Sequence, residues 1–255
     1  IWSKFLYNEE GGLEIYSGGP VTLQNVMVSD NTDTWSELGD GFVVGNGLSY
    51  NESHYYYFSA NDGDSVWAKL SGNFWGYLSL YNAYDGTLVT QTSLDPDILR
   101  ETVLSISVSS GNYRLVVEGE YSGGAYQLQF SRNGTDPGAL QLLGGPGLVI
   151  DNTSALTPQP VKITNPLSGV YYFYDGQFSG NGGNGVEIHS KGLVTLTGVA
   201  ANGNYGSGII VDTSSASTMT LKGTTAIGNW VDGLSLVTNG AVTLQQPEMG
   251  HNGGY

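Results

Sequence analysis

Apolar and polar residues alternate along this chain in short bursts, and no window sustains the i, i+3, i+4 apolar spacing of a helix. Four segments, 8–15, 181–188, 204–211 and 229–236, align without gaps. Each reads Asn, three variable residues, Gly, apolar, any residue, apolar. The asparagines are Asn8, Asn181, Asn204 and Asn229, the glycines Gly12, Gly185, Gly208 and Gly233, and Asn252 opens a fifth copy. The last four starts are spaced by 23, 25 and 23 residues. A second burst follows each first one: Val21-Thr22-Leu23, Val194-Thr195-Leu196, Met219-Thr220-Leu221 and Val242-Thr243-Leu244. A third apolar position, Val28, Ala201, Ala226 or Met249, lies three residues before the next Asn. Alternation places Leu13 and Ile15 on one face of a strand and Glu14 on the other.

Three short strands in a repeat of this length make one coil of a parallel β-helix. A single coil cannot bury its inner face, but stacked coils share a continuous core. The pattern predicts a tight corner at each repeat Gly, a left-handed conformation at each repeat Asn and a ladder of stacked Asn side chains. Leucine-rich repeats have a similar length, but their leucine spacing is absent. Residues 41–44 and 147–150 read as further first strands, and 161–163 as a second strand. A long excursion over 165–180 carries Tyr171, Tyr172, Phe173 and Tyr174. The pattern leaves the register between 133 and 180 open.

Between Val44 and Asn133 the rhythm vanishes and longer alternating strands with hairpin signals replace it. Tyr55-Tyr56-Tyr57-Phe58 leads into the turn Asn61-Asp62-Gly63-Asp64, and residues 77–81 precede the turn Ala83-Tyr84-Asp85-Gly86. Alternating runs at 103–108, 111–118 and 124–130 complete the set. Six or seven such strands predict a sandwich. The order Tyr-Tyr-Phe, Asp-Gly-Asp, Leu-x-Leu-Tyr with Asp-Gly, Ser-Gly-Asn-Tyr-Arg-Leu-x-Val and Gly-Ala-Tyr-x-Leu resembles the bacterial pre-peptidase C-terminal domain. The resemblance covers about residues 45–132 and implies a small jelly-roll-like module, of a kind often appended to secreted proteases and surface proteins. Members are usually terminal, whereas this one is inserted, and no protease sequence accompanies it. The remainder resembles right-handed β-helix surface proteins. The expected fold is therefore all-β: a right-handed parallel β-helix (solenoid) with an inserted antiparallel β-sandwich. Its parts are a first β-helix segment at 1–44, the sandwich at 45–132 and a second β-helix segment at 133–255.

Composition changes the picture mainly by exclusion. Asp and Glu number 23 against 8 Lys and Arg, for a net charge of −15. Nucleic acid and anionic membranes both require a basic footprint, so neither is an expected partner. An acidic balance suits solubility, cation binding or an extracellular surface. Cysteine is absent, which removes thiolate metal sites and disulfides. No apolar run is long enough for membrane insertion. The chain opens on Ile1 rather than Met, as a processed product or a segment of a longer polypeptide would.

Chemistry-bearing residues are sparse. Glycoside hydrolysis needs paired carboxylates, and Asp212 and Asp232 lie on neighbouring coils at different repeat phases. Arg100, Arg114 and Arg132 all fall in or beside the sandwich; Lys4, Lys162, Lys191 and Lys222 are scattered. No catalytic residue is assigned. Glu14 and Glu187 share a repeat phase on an outer face, where solvation suffices to explain them. His54, His189 and His251 form no zinc spacing. Asp62 and Asp64 are candidate Ca²⁺ ligands in a segment that reads first as a hairpin turn, and no other cofactor is implied. Trp35, Trp75, Tyr77, Tyr84 and Trp230, with Tyr205, are candidate glycan-stacking aromatics or ordinary packing residues. Asn51, Asn133 and Asn152 head N-glycosylation sequons.

Neither end carries a polar cap, and open coil ends expose strand edges. These features lead to the expectation of a non-catalytic structural subunit of an extracellular filament, sheath or microbial cell-surface layer. It would assemble with copies of itself through β-helix ends and sandwich contacts. An adhesin module binding polysaccharide or host protein is the alternative, and a polysaccharide lyase or hydrolase a lesser one.

Overall fold

A computed structural model describes residues 3–6, 8, 11–29, 31, 35–48, 51–120, 124–135, 138, 140–142, 144–165, 177–213 and 217–253. The tyrosine-rich stretch at 171–174 lies outside them. Among the described residues the chain is all-β, with several sheets and no helix.

Two five-stranded sheets are wholly parallel. In one, Leu13–Tyr16, Leu148–Asp151, Val186–His189, Ile209–Thr213 and Leu234–Thr238 lie side by side. In the other, the order is Val21–Gln24, Val161–Thr164, Val194–Thr197, Met219–Lys222 and Val242–Gln245. Shorter parallel pairs join Ser3–Leu6 to Val26–Ser29 and Thr225–Ile227 to Glu248–Gly250. Registers run repeat on repeat: Leu13, Leu148, Val186, Ile209 and Leu234 form one row, and Val21, Val161, Val194, Met219 and Val242 another. Alternation sends these rows and their i+2 neighbours into a common core, except Val242 and Leu244 on the outer strand. Ile150, Ile163, Ile188, Leu196, Val211 and Leu221 are fully buried there. The register between 133 and 180, open in the sequence, is set by residues 148–151 and 161–164, with buried Phe178 in the third apolar position.

The longer strands pair antiparallel in two further five-stranded sheets. One runs Leu88–Leu94, Gly76–Asn82, Gly111–Gly119, Ser53–Ala60, with Trp35–Glu37 added in parallel at its edge. The other runs Glu101–Ser107, Ser65–Gly72, Gly124–Arg132, Val43–Leu48, with Leu140–Leu142 likewise added. Residues 41–44 were expected to form a coil strand. Instead Val43 and Val44 run antiparallel to Gln129 and Leu128. Gly41 stands where the repeat has its Gly, but Glu37 replaces the repeat Asn, and Val44 is buried in the aromatic-rich core of the antiparallel sheets.

That core holds a polar cluster. His54 Nδ1 lies 2.6 Å from the Tyr126 hydroxyl, which lies 2.5 Å from that of Tyr56. Asn46 Nδ2 is 3.2 Å from His54 Nδ1, and Glu52 Oε1 is 3.2 Å from Nε2. His54, isolated in sequence, is thus fully buried among partners. Burial first, then Tyr56, pushes the Tyr126 hydroxyl's pKa well up.

Candidate functional site

The feature that organises the parallel sheets is a spine of asparagine and glycine. The backbone N–H and Nδ2 of each Asn both donate to Oδ1 of the next. Asn8 bonds Asn31 at 3.2 and 2.8 Å, Asn31 bonds Asn181 at 3.3 and 2.9 Å, and Asn181 bonds Asn204 at 3.0 and 2.8 Å. Asn204 bonds Asn229 at 3.0 and 2.9 Å, and Asn229 bonds Asn252 at 2.9 and 3.0 Å. Nδ2 of Asn204, Asn229 and Asn252 also donates to the carbonyls of Phe178, Ala201 and Ala226. Buried amides need this degree of satisfaction, because each unpaired donor costs about 1–3 kcal/mol.

The glycines exist to admit the amides. A Cβ on Gly12, Gly185, Gly208 or Gly233 would lie 2.5, 2.6, 2.7 or 2.4 Å from the Nδ2 of Asn31, Asn204, Asn229 or Asn252. Gly147 plays the same part against Asn181. The expected reason, a special backbone turn, is not the operative one, since none of these glycines has a positive φ. Nor do Asn181, Asn204, Asn229 and Asn252 adopt the left-handed conformation. The residue before each of these four does: Gly180 (φ 65°), Gly203 (63°), Gly228 (70°) and His251 (52°).

Asn31 was overlooked in sequence. It stands three residues after Val28, where the rule on third apolar positions puts it. The corner that other repeats cross between Asn and Gly in three residues is occupied, between Asn31 and Gly147, by the antiparallel sheets. The corresponding corners of adjacent repeats carry Tyr205 and Trp230, and the antiparallel sheets dock there. A Cβ on Gly45 would lie 2.1 Å from the Tyr205 ring, and one on Gly47 would lie 2.6 Å from the carbonyls of Asn181 and Gly203. Ala125 N–H donates to the Gly228 carbonyl (3.1 Å), and Asn73 Nδ2 to those of Asn229 (3.3 Å) and His251 (2.8 Å).

A second set of polar residues was not brought together by sequence reasoning. On the outer face of the first parallel sheet, Tyr16, Asp151, His189 and Asp212 stand in one row and Glu14, Val149, Glu187 and Ile210 in the row beside it. Extending the aligned first strands by one residue would have revealed the Asp151–His189–Asp212 row. His189 Nε2 is 2.8 Å from Glu187 Oε1, and Asn184 donates to Glu187 Oε2 at 3.0 Å. Burial raises the Glu187 pKa, but the bonds from His189 and Asn184 outweigh it and hold the carboxyl below the ordinary glutamate range. Asp151 is lowered by bonds from the Thr153 hydroxyl and N–H (2.7 and 2.8 Å). Glu14, which accepts from the Tyr16 hydroxyl at 3.3 Å, raises that tyrosine. The His189–Glu187 pair can relay a proton, but Asp151 is already committed to its own turn.

The remaining candidates are dispersed. Asp64 accepts from Asn133 Nδ2 and Asn61 N–H, both at 2.8 Å, with Arg132 Nε at 3.9 Å; these hold it below the usual aspartate range, the Asn133 bond foremost. A Ca²⁺ ion there would have to displace this arrangement, and Asp62 is exposed on the turn. Tyr77 donates to Glu120 (2.8 Å), Trp75 is half-buried, and Tyr84 is 96% exposed at a hairpin tip. The Trp35 side chain lies outside the described residues. Trp230 stacks on Tyr205, ring centroids 5.3 Å apart at 15°. Asn51 is exposed, whereas Asn133 spends its amide on Ser65 and Asp64. Asn152 is fully buried and donates to the Gln159 carbonyl, so a glycan finds no room there in the folded chain.

No protein-family model and no curated protein matches the sequence. Solved structures give slight likenesses. The pre-peptidase C-terminal domain of a Bacillus anthracis collagenase is 11% identical at a TM-score of 0.32, over 39% of this chain and 94% of that one. PliG of Aeromonas hydrophila, a periplasmic inhibitor of g-type lysozyme, is 10% identical at 0.32, over 48% and 100%. The Agl-KA catalytic domain is 9% identical at 0.22, over 81% and 55%. Likenesses this slight assign no function.

Proposed function

We propose that this chain is a non-catalytic structural subunit of an extracellular filament, sheath or cell-surface layer of a microorganism, built on a right-handed parallel β-helix whose coils continue from one copy into the next. One observation carries the reading: the strands at the two edges of the second parallel sheet have the same sequence, Val21-Thr22-Leu23-Gln24 and Val242-Thr243-Leu244-Gln245, so each edge offers the pattern that the other already pairs with inside the sheet.

Exposed apolar surface supports the same reading. Val242 and Leu244 share the inward phase of Met219 and Leu221, which are 0% exposed, yet they stand 43% and 45% exposed. Covering them adds burial free energy of about 25 cal/mol per Å². A head-to-tail contact of this kind does not close on itself, so it propagates as a fibre. Right-handed coiling follows the chirality of parallel crossovers.

Electron microscopy and concentration-dependent light scattering test this. Fibres or sheets with a repeat near the length of one stack are expected, and Leu244→Lys should abolish them. A monodisperse monomer at high concentration would sink the proposal. A second reading, cleavage of a polysaccharide on the outer sheet face, has one observation in its favour, the Asp151–His189–Asp212 row. It requires turnover that disappears in Asp212→Asn.

A further inference from the structure

Where the sandwich meets the stack there is a pocket of about 320 Å³, lined by Ser71, Gly72, Asn73, Arg100, Glu101, Trp230 and Gly253. We propose that it binds a carboxylate-bearing sugar unit of an acidic polysaccharide. This goes beyond the assembly reading and does not depend on it.

The volume suits a single sugar ring, at the lower end of the range for ligand pockets. Trp230 supplies an aromatic wall whose orientation is already fixed, because it stacks on Tyr205, itself buried. An aromatic surface held in place before binding costs little entropy when a ring settles on it. Arg100 supplies the charge. Of the three arginines, Arg114 is held between the rings of Tyr55 and Tyr81, at 5.6 and 5.1 Å. Arg132 is bound to Asp40 (3.0 Å) and to the Ser59 carbonyl. Arg100 is exposed, and its guanidinium makes no ion pair or hydrogen bond among the described residues. A free guanidinium beside an aromatic wall, in a chain of net charge −15, selects a planar carboxylate that it can grip with two parallel bonds. Glu101 does not cancel this, since Lys69 neutralises it at 2.8 Å. Ser71 and Asn73 add polar groups for ring hydroxyls.

The test is calorimetric titration of the full chain, dilute enough to be monomeric, with oligogalacturonate and with an uncharged glucan oligosaccharide of equal length. Saturable binding of the uronate is expected, weakened about tenfold or more in Arg100→Gln and in Trp230→Ala, with the neutral sugar weaker by a similar factor. Circular dichroism keeps loss of fold apart from loss of binding, and Arg100→Gln alters only an exposed side chain. Absence of saturable uronate binding overturns the proposal. So does binding that Arg100→Gln leaves unchanged, or equal affinity for the neutral sugar.

Discussion

The parallel and the antiparallel sheets solve the same problem, burying short strands, by different means. The sandwich core is aromatic, with Tyr56, Phe58, Phe74, Tyr126 and Phe130 filling the space between two sheets. Its most deeply buried polar network is one local cluster around His54, with Asp64, Ser79 and Ser131 bonded separately. The core of the parallel sheets is aliphatic, and its longest run of buried polar groups is the asparagine spine, continuous from Asn31 to Asn229. One region can therefore lose a polar contact at a single place, whereas in the other each rung supports its neighbours on both sides.

Substituting the spine breaks that comparison most sharply. Asn204→Leu keeps the volume but strands the N–H and Nδ2 of Asn181 in a buried site. Chemical denaturation should report a loss of about 3–5 kcal/mol, and a loss under about 1 kcal/mol would show the ladder to be incidental. Gly208→Ala comes next. Its methyl group would meet Asn229 Nδ2 and the Gly233 carbonyl, both at 2.7 Å, and overpacking of this kind costs about 1–3 kcal/mol. In the sandwich, Gly63 at φ 81° faces open space, so Gly63→Ala should pay only the left-handed penalty of about 1–2 kcal/mol. Equal losses at the two glycines would erase the distinction. Tyr126→Phe removes one hydroxyl from the His54 cluster and should cost about 1–2 kcal/mol by thermal unfolding.

Two smaller effects sharpen the contrast. The left-handed position before the ladder Asn is Gly in three coils and His251 in the last. His251→Gly should stabilise that end coil by about 1 kcal/mol, seen as slower amide exchange over residues 248–253. Acid should act on both regions with the same sign. Asp64 in the sandwich and Asp151 and Glu187 on the stack have folded pKa values below their unfolded ones. The unfolded chain therefore binds more protons, and their stabilisation is intact above the ordinary carboxylate range of about 4 and lost as pH falls through the lower folded values. Asn133→Ala should shrink that acid dependence, because its amide bond is the main cause of the Asp64 shift. A pH profile unchanged in the variant would contradict this.

The repeat made the strands at 13–16, 186–189 and 209–213 legible, because a run of Asn, Gly and two alternating apolar residues is local in sequence. Asn31 was not recognised because its Gly partner lies more than a hundred residues away, across the insertion. The strands at 35–37 and 140–142 were not legible as members of the antiparallel sheets, since three residues carry too little alternation to choose a partner. The role of the repeat glycines was misjudged for a related reason. Their constraint comes from an amide on the next coil, and nothing within their own coil betrays it. The Asp151–His189–Asp212 row is visible only when register is known to the residue, because a shift of one would send these side chains inward.

Every rung of the spine points the same way: each Asn from Asn8 to Asn229 gives its backbone N–H and one amide hydrogen to the Oδ1 of the next rung, while the second amide hydrogen of Asn204, Asn229 and Asn252 turns back to a carbonyl of the preceding repeat. The line of rungs is therefore polar along the axis. In the proposed fibre, copies stacked with their ladders aligned would present chemically distinct tips, and elongation is expected to proceed at unequal rates from the two ends.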